Sequence, residues 1–285
     1  MSARVMPSQP FLSVLTPAYN AARFLPALAA SVEQQCNRSF EHLVIDDGSQ
    51  DDGATRTVLA SLSSVRWYSR PNKGQYATQN ELLSQATGEY VTVICADDCY
   101  ANSHVFERVA SLAATVRADV IFGDTEVLID GTRPLTYCPY LRGRFAWSVL
   151  PLYPMVQHCS VFVRRDFLLE HNLVFNTAYR IRGDMDWLLR VHRAKPSVSY
   201  IGGTAAFWRS HEDQTSRDTR LGQTETEAIF EGRPIPLAVH AALLSAWRPV
   251  GRLAKARSVL RLCGWNGLRD AAFDWCVRQF SEKCQ

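Results

Sequence analysis

The chain has 285 residues and a formal net charge of +3, with 47% apolar and 21% charged residues. This composition is typical of a globular protein with a sizeable core in one or two domains, and it excludes a disordered chain. The small net charge gives no argument for binding nucleic acid, and no segment reaches the roughly 18 apolar residues that a membrane-spanning helix needs.

The cysteines and the N-terminal residues favour a cytoplasmic protein. The eight cysteines show no C-x-x-C pair and no Cys/His spacing typical of a zinc site. Several lie inside apolar runs, so we expect reduced and mostly buried thiols. Residues 1–10 lack the apolar stretch of a signal peptide.

Strand-like and helix-like segments alternate through the first half of the chain. The predicted strands, by residue number, are 11–16, 42–45, 65–69, 89–95 and 119–122. The predicted helices between them are 23–35, 51–62, 75–86 and 105–116. This alternation predicts an α/β fold with parallel βαβ units and right-handed crossovers.

The pattern weakens after residue 123. Residues 125–157 are rich in Pro, Tyr, Arg and Gly and are predicted to form long loops with a short helix. The predicted elements that follow are a strand at 160–164, helices at 166–171 and 184–191, and short strands at 200–201 and 205–207. From about residue 223 the chain is predicted to be helical and amphipathic. We therefore expect a main domain, 1–222, and a helical C-terminal extension, 223–285.

Polar clusters follow three of the predicted strands, at residues 16–20, 46–49 and 96–98. Because the carboxyl ends of parallel strands meet at one edge of a sheet, these clusters are expected to converge on one crevice. The carboxylates of Asp97 and Asp98 suit a hard divalent ion there, and a capped turn is the alternative. Asp46 can accept hydrogen bonds from a base or ribose, or it forms part of a turn.

The sequence has no glycine-rich phosphate loop, because neither G-x-G-x-x-G nor a Walker motif occurs. If a nucleotide binds, a metal and basic side chains must neutralise its phosphates. Arg70 and Lys73 supply two cations in the turn at 70–74, although a solvated loop accounts for them equally well.

Seven short segments in order resemble the family 2 glycosyltransferases, which have the GT-A nucleotide-sugar-binding fold. They are SVLTPAYN (13–20), VIDDGS (44–49), NKG (72–74), ATGEY (86–90), ADD (96–98), GDMDWLLR (183–190) and WRSH (208–211). The resemblance covers roughly residues 10–216. It implies a mostly parallel sheet flanked by helices, with a nucleotide-sugar-binding half, 10–124, and an acceptor-side half, 125–222.

The resemblance also implies roles for individual residues. The implied nucleotide-binding residues are Thr16, Pro17, Ala18, Tyr19, Asp46, Ser49, Lys73 and Asp97. The implied ligands of Mg²⁺ or Mn²⁺ are Asp97, Asp98 and His211. Arg209 matches a position that can contact phosphate, and Asp184 matches the catalytic base.

Cys95 departs from the family pattern. Many members carry an Asp two residues before the position matched by Asp97, and here that position is Cys95. A thiol is a poor ligand for a hard, oxygen-preferring ion. Metal binding is therefore expected to rest on Asp97, Asp98, the diphosphate oxygens and His211.

The residue types fit sugar transfer from a nucleoside diphosphate. A divalent ion that bridges the diphosphate stabilises the leaving group, and one carboxylate takes the proton of the acceptor hydroxyl. In-line displacement then inverts the anomeric centre. Asp184 is preferred over Asp186 as this base, and the alternative for both is an acidic first turn of a helix.

Several other residues have two open interpretations. His158 either lines the acceptor pocket or is structural. Four aromatic residues either stack on sugar rings or pack in the core: Tyr137, Tyr140, Trp147 and Tyr153. Residues 233–285 interleave basic side chains with Trp, Leu and Phe, which suits an anionic membrane surface. The same segment suits packing on the catalytic domain or on a second copy of the chain.

We therefore expect an inverting glycosyltransferase of the cytoplasm or of the inner face of the plasma membrane. It is expected to move a hexosyl or N-acetylhexosaminyl group, with UDP as carrier, to a saccharide or lipid-linked saccharide of a bacterial surface polysaccharide. A nucleotidyltransferase is the first alternative, but it needs a glycine-rich basic loop that residues 16–23 lack. An inactive nucleotide-sugar-binding scaffold is the second, which Cys95 favours and Asp97, Asp184 and His211 disfavour.

Overall fold

The computed structural model describes residues 9–129, 135–137, 143–151 and 156–231. The predicted extension beyond residue 231 lies outside the described residues, as do Tyr140 and Tyr153. Tyr137 is described only as part of a strand backbone.

Nine strands form one sheet within the described residues. In chain order they are β1 (Leu12–Ala18), β2 (Phe40–Asp46), β3 (Arg66–Ser69), β4 (Tyr90–Val93), β5 (Cys99–Tyr100), β6 (Val120–Ile129), β7 (Leu135–Tyr137), β8 (Val161–Arg164) and β9 (Val198–Ser210). Their order in the sheet is β3-β2-β1-β4-β8-β6-β9-β5, and β7 pairs with β6.

Helices connect these strands. In chain order they are α1 (Leu25–Glu33), α2 (Ala54–Ser61), α3 (Gln75–Gln85), α4 (Val105–Val116), α5 (Phe145–Ser148), α6 (Arg165–Glu170), α7 (Gly183–Arg193) and α8 (Thr219–Glu231). Two short 3-10 helices span His158–Ser160 and Thr215–Arg217. The predicted alternation in the first half of the chain is confirmed, with boundaries moved by a few residues.

The sheet is mixed rather than mostly parallel. Among the described residues, four strand pairings are parallel and four are antiparallel. The predicted parallel arrangement is correct for β1 to β4, but β8 lies antiparallel between β4 and β6. The order of elements along the chain does not predict this insertion. β8 begins some thirty residues after β6 ends, yet it lies between β4 and β6 in the sheet.

Two predicted segments differ from the structure. β6 continues to Ile129 and pairs with β7, so the start of the expected loop region at 125–157 is extended chain. The two short strands predicted near residue 200 are one strand, β9. Gly202 and Gly203 have positive φ angles there and form an irregularity opposite residues 122–124 of β6, which interrupts the apolar pattern.

The core occupies both faces of the sheet. Leu12 and Val14 of β1 pack in a cluster with Phe106 of α4 on one face. Leu15 packs on the other face in a cluster that includes Trp187 of α7. Alternate residues of β1 therefore join α4 and α7 to opposite sides of one sheet. The buried Trp147 belongs to the second cluster, so it packs in the core.

Other expectations concern the thiols and membrane-spanning segments. The four cysteines of the described residues are unpaired, as expected, but only Cys159 of these four is buried. None of the described helices has the length and apolar character needed to cross a membrane.

Candidate functional site

Strand directions bring distant parts of the chain to one edge of the sheet. β1, β2 and β4 are parallel, so the loops that follow them leave at the same edge. β8 runs in the opposite direction, so the residues before it lie at that edge. β6 has the direction of β4, and β9 is parallel to β6, so residues after β9 also lie there.

The loops after β1 and β2 are tied to each other. The backbone N–H of Asn20 donates to Oγ of Ser49 at 2.8 Å, and the Asn20 side chain accepts from the N–H of Gln50 at 2.8 Å. Tyr19 extends from this junction with 46% of its surface exposed. Tyr19 and Ser49 are therefore placed where a ligand could reach them.

Thr16, Pro17, Ala18 and Asp46 lie deeper than expected. All four are buried, and Oγ1 of Thr16 is 3.1 Å from Nε2 of His42. Asp46 accepts hydrogen bonds from the N–H of Ser49 at 3.0 Å and from Oγ of Ser69 at 2.7 Å. Their burial leaves little exposed surface at these positions in this structure, and their contact with a nucleotide stays a prediction. Asp46 also orients Ser49.

Asp47 fixes the turn that carries Lys73. Its carboxylate pairs with Arg70 and accepts from the backbone N–H groups of Lys73 and Gly74, at 2.9 and 3.0 Å. Gly48 is required beside it, because its φ is +74° and a Cβ would lie 2.7 Å from the backbone N of Asn72. The Lys73 side chain is about half exposed, and its ammonium group lies 3.1 Å from the Glu81 carboxylate. Lys73 is therefore on the surface of the turn.

Asp97 and His211 come together at the end of β4. Nε2 of His211 is 3.0 Å from Oδ2 of Asp97, and the side chain of His211 is nearly buried. Arg209 donates from Nε to the backbone carbonyl of Asp97 at 2.8 Å and from its backbone N–H to Asp98 at 2.9 Å. The loop after β4 is thus fixed to the end of β9, although the two segments are 111 residues apart.

The residues present fit a hard divalent ion. The Asp97 and His211 atoms are 3.0 Å apart, which is a hydrogen-bond distance and also about the separation of neighbouring ligand atoms around an octahedral ion with ligands at about 2.1 Å. Asp98, the third predicted ligand, is almost fully buried and accepts a hydrogen bond from the backbone N–H of Arg209. Its burial and the neighbouring charge of Asp97 raise the pKa of Asp98 well above its usual range.

Asp184 lies in the first turn of α7. The position depends on Gly183, because a Cβ there would lie 2.6 Å from the ring of Tyr76. One carboxylate oxygen of Asp184 accepts from the N–H of Met185 at 2.9 Å and is 3.4 Å from the Tyr76 hydroxyl. About a fifth of the Asp184 side chain is exposed. Asp186, the other acidic candidate, instead pairs with Arg190 at 2.8 Å.

His158 is the direct partner of Asp184. Nδ1 of His158 is 3.0 Å from Oδ2 of Asp184, and Nε2 is 3.5 Å from Sγ of Cys95. Burial raises the pKa of Asp184, but the hydrogen bond and charge of His158, the N–H of Met185 and the charge of Arg182 outweigh it. The net pKa of Asp184 is lower than usual, so its carboxylate is ionised at neutral pH.

Sequence reasoning missed Glu225 of α8. This buried side chain accepts backbone hydrogen bonds from Arg180, Ile181 and Arg182, at 2.7–2.9 Å. These residues lead directly into α7 and Asp184. The expected domain border at 222 therefore falls inside a helix that supports the site. An isolated Glu in an amphipathic helix gives no sequence signal for such a contact.

The arrangement provides two carboxylate–imidazole pairs at one sheet edge. The pair of Asp97 and His211 offers ligand atoms for a cation. The pair of Asp184 and His158 offers an ionised, oriented carboxylate that can accept a proton. Cys95, two residues before Asp97, contacts His158 and so connects the two pairs.

Solved structures with the same fold include two that were determined in complex with a nucleotide sugar. Staphylococcus aureus TarS 1–349 in complex with UDP-GlcNAc has a TM-score of 0.59 and 16% sequence identity, covering 83% of this chain and 71% of that chain. The mannosyltransferase PcManGT from Pyrobaculum calidifontis, in complex with GDP-Man and Mn²⁺, has a TM-score of 0.57 and 16% identity, covering 94% and 80%. These similarities confirm the expected GT-A fold.

Curated proteins with similar sequences are also named as glycosyltransferases. An uncharacterized glycosyltransferase of Rickettsia felis is 26% identical over 228 residues, which cover 78% of this chain and 38% of that protein. A PGL/p-HBAD biosynthesis glycosyltransferase of Mycobacterium tuberculosis is 26% identical over 185 residues, covering 64% and 69%. The chain spans less than two fifths of the length of the first Rickettsia relatives that it matches.

The sequence model of one family matches residues 13–171, more than half of the chain. The match contains the loops after β1, β2 and β4 together with Cys95 and His158. It agrees with the similar proteins and with the fold. The chain belongs to glycosyl transferase family 2.

Proposed function

We propose that this glycosyltransferase moves a hexosyl or N-acetylhexosaminyl group from a nucleoside-diphosphate sugar to a hydroxyl group, with inversion. The proposal rests on the placement of the Asp97–His211 and Asp184–His158 pairs at one sheet edge. We propose UDP as the carrier and Mg²⁺ or Mn²⁺ as the ion. The donors named for the similar structures, UDP-GlcNAc and GDP-Man, support a nucleotide-sugar substrate.

The donor side of the proposed site is formed by the loops after β1, β2 and β4. Tyr19 and Ser49 would contact the nucleotide, and Asp97 and His211 would hold the ion. A bound divalent ion supplies charge neutralisation to the diphosphate leaving group. Arg209, which fixes the same loop, places its guanidinium group beside Asp97 and is proposed as a phosphate contact.

Asp184 is proposed as the base that accepts the proton of the acceptor hydroxyl. His158 holds one carboxylate oxygen, and the N–H of Met185 holds the other. These contacts fix the orientation of the carboxylate before the acceptor arrives, which is the arrangement that general-base catalysis requires. One such base would be sufficient, because a bound ion would assist the leaving group in place of an acid.

We propose a saccharide or lipid-linked saccharide of a bacterial cell-surface polysaccharide as the acceptor. The basic and aromatic side chains of residues 233–285 would then hold the enzyme at the inner face of the plasma membrane, or pack on a second copy. The relative named as a PGL/p-HBAD biosynthesis glycosyltransferase supports a biosynthetic role.

The donor site can be tested by thermal unfolding with UDP, GDP and dTDP, each with and without Mn²⁺. A ligand at a hundredfold excess over its Kd stabilises the native state by about 2.7 kcal/mol. We expect a metal-dependent stabilisation by UDP that Asp97→Asn removes and that the exposed control Asp213→Asn retains. The absence of stabilisation by all three nucleotides would favour the inactive scaffold.

The base can be tested with Asp184→Asn and the control Asp186→Asn. The amide of Asn cannot accept the proton, so we expect Asp184→Asn to lower kcat by about 10²–10⁴-fold in an assay of nucleotide release. Metal-dependent stabilisation by UDP should survive in this variant. Normal turnover by Asp184→Asn would refute its role as the base.

A further inference from the structure

Cys95, Asp98 and His158 form a cluster, and of the three the proposed sugar transfer uses only Nδ1 of His158, as the partner of Asp184. Their nearest ligand atoms, a thiol sulfur, a carboxylate oxygen and an imidazole nitrogen, all lie within 4.8 Å of one another. Asp98 and His158 are nearly buried. From this geometry we propose that the three side chains bind a single thiophilic divalent cation such as zinc. This site is separate from that of the hard ion at Asp97 and His211.

The distance between the Cys95 and His158 ligand atoms fits a tetrahedral zinc ion. Zinc holds a thiolate at about 2.3 Å and an imidazole nitrogen at about 2.0–2.1 Å, so at a tetrahedral angle the two atoms are about 3.5 Å apart. Sγ of Cys95 and Nε2 of His158 are 3.5 Å apart. The carboxylate of Asp98 supplies the third ligand, and the fourth position is left for water or for an oxygen of a bound molecule.

Asp184 orients His158 for this role. A ligating histidine usually donates its second ring N–H to a carboxylate, which fixes the tautomer and turns the other nitrogen to the metal. Nδ1 of His158 faces Asp184 at 3.0 Å, which leaves the lone pair of Nε2 directed at Cys95. The N–H of Arg209 fixes Asp98 in a similar way, at 2.9 Å.

The ligand types separate this site from that of the hard ion. Both sites contain an imidazole, but the thiolate of Cys95 favours zinc over magnesium, whereas Asp97 offers the oxygen that magnesium prefers. Binding releases the thiol proton of Cys95, together with any proton held by the Asp98 carboxyl group, to the solvent, and the ion then connects the loop after β4 to the segment before β8. The site does not rest on the proposed sugar transfer, because metal binding can be measured without substrate.

Cobalt(II) titration of the full chain, without a histidine tag, tests the proposal. A cobalt ion bound to a thiolate in tetrahedral geometry gives sulfur-to-cobalt charge-transfer absorption and intense visible bands, which an oxygen site does not give. We expect these bands in the native protein and in Asp97→Asn. Zinc should abolish them at equimolar amounts, whereas a large excess of Mg²⁺ should not.

Variants of the ligands decide the location. Cys95→Ser should remove the charge-transfer band, and His158→Asn should weaken zinc binding at least 100-fold, because it keeps a polar contact to Asp184 but lacks Nε2. Asp184→Asn should lower the affinity for zinc by about 10–100-fold, because Asp184 bonds to the ligand His158 but does not itself contact the ion. If Cys95→Ser does not fold, Cys95→Asp serves instead, since it replaces the thiol by a carboxylate and so removes the thiolate band.

Cys36 provides the matched control. It lies with His104 and Glu107 in a second group of three ligand atoms, but all three residues are exposed. Cys36→Ser should leave the bands unchanged. The proposal is overturned if the native protein shows no thiolate band, or if the band is lost in Cys36→Ser and kept in Cys95→Ser.

Discussion

At the scale of single residues, the chemistry of Asp184 depends on His158. Burial alone would raise the pKa of Asp184, and the contact with His158 contributes most to its net lowering. A low pKa keeps the carboxylate ionised but makes it a weaker base. His158 is therefore a positioning residue for the proposed reaction, since it sets both the orientation of Asp184 and the pH at which Asp184 works.

Removing His158 should change the pH dependence of transfer. In His158→Ala the burial of Asp184 is no longer offset by an imidazole, so the pKa of Asp184 should rise. The acidic limb of the kcat/KM profile reports the pKa of the free base and should move to higher pH.

Two further variants distinguish this effect from a loss of packing. His158→Asn can keep a polar group near the position of Nδ1, so the acidic limb should move less than in His158→Ala. His104→Ala, an exposed histidine that contacts Glu107, should leave the profile unchanged. An acidic limb that stays in place in His158→Ala would contradict this role.

At the scale of elements, α8 supports the start of α7. Glu225 accepts three backbone hydrogen bonds from residues 180–182, and these residues precede Asp184. The same segment is constrained from the other side by the contact of Gly183 with Tyr76. The position of the proposed base is therefore set by two helices, α3 and α8, that contribute no reacting group.

Truncating Glu225 should destabilise the protein. Three N–H groups would lose a charged acceptor in a mostly buried location, so Glu225→Ala should lower the free energy of unfolding by roughly 3 kcal/mol. Transfer activity should fall as well, because the first turn of α7 loses its support. Urea unfolding measures the first effect and nucleotide release the second.

Glu227→Ala is the control on the same helix. Its side chain is exposed and bonds Gln223, so the change should stay within about 0.5 kcal/mol. Equal effects of the two substitutions would show that α8 acts through its general helical stability and that the contacts of Glu225 are unimportant.

At the scale of the whole molecule, the sequence beyond α8 differs in character from the catalytic domain. Residues 233–285 carry nine Lys and Arg against three Asp and Glu, with apolar and aromatic residues between them. The loops of the proposed active site, by contrast, all lie within residues 16–211. We therefore expect attachment to a membrane surface and binding of the nucleotide to be separable.

A chain that ends at residue 231 tests this separation. It keeps Glu225, so its metal-dependent stabilisation by UDP should equal that of the full chain. Its binding to vesicles with anionic lipid should be weaker, and vesicles of neutral lipid provide the control. Unchanged binding to anionic vesicles would exclude residues 233–285 as the membrane contact.

The glycosyltransferase family and most helices and strands in the first half of the chain were predictable from local sequence. β1 to β4 and α1 to α4 follow from apolar periodicity, and the residues around Asp97 and Asp184 follow from short motifs. Such patterns depend on neighbours within a few residues, so one sequence contains them. The burial of a residue could not be predicted in this way. Thr16 and Asp46 lie in motifs that match the family, and both side chains are buried.

The sequence alone determined the residue types of the site and their order in the chain. Tertiary structure decided which of them meet. His158 reaches Cys95, 63 residues away, only because β8 enters the sheet antiparallel beside β4. Glu225 reaches the start of α7 only because α8 packs against it. These contacts depend on strand order and helix packing over long separations, and neither apolar periodicity nor a local motif contains that information.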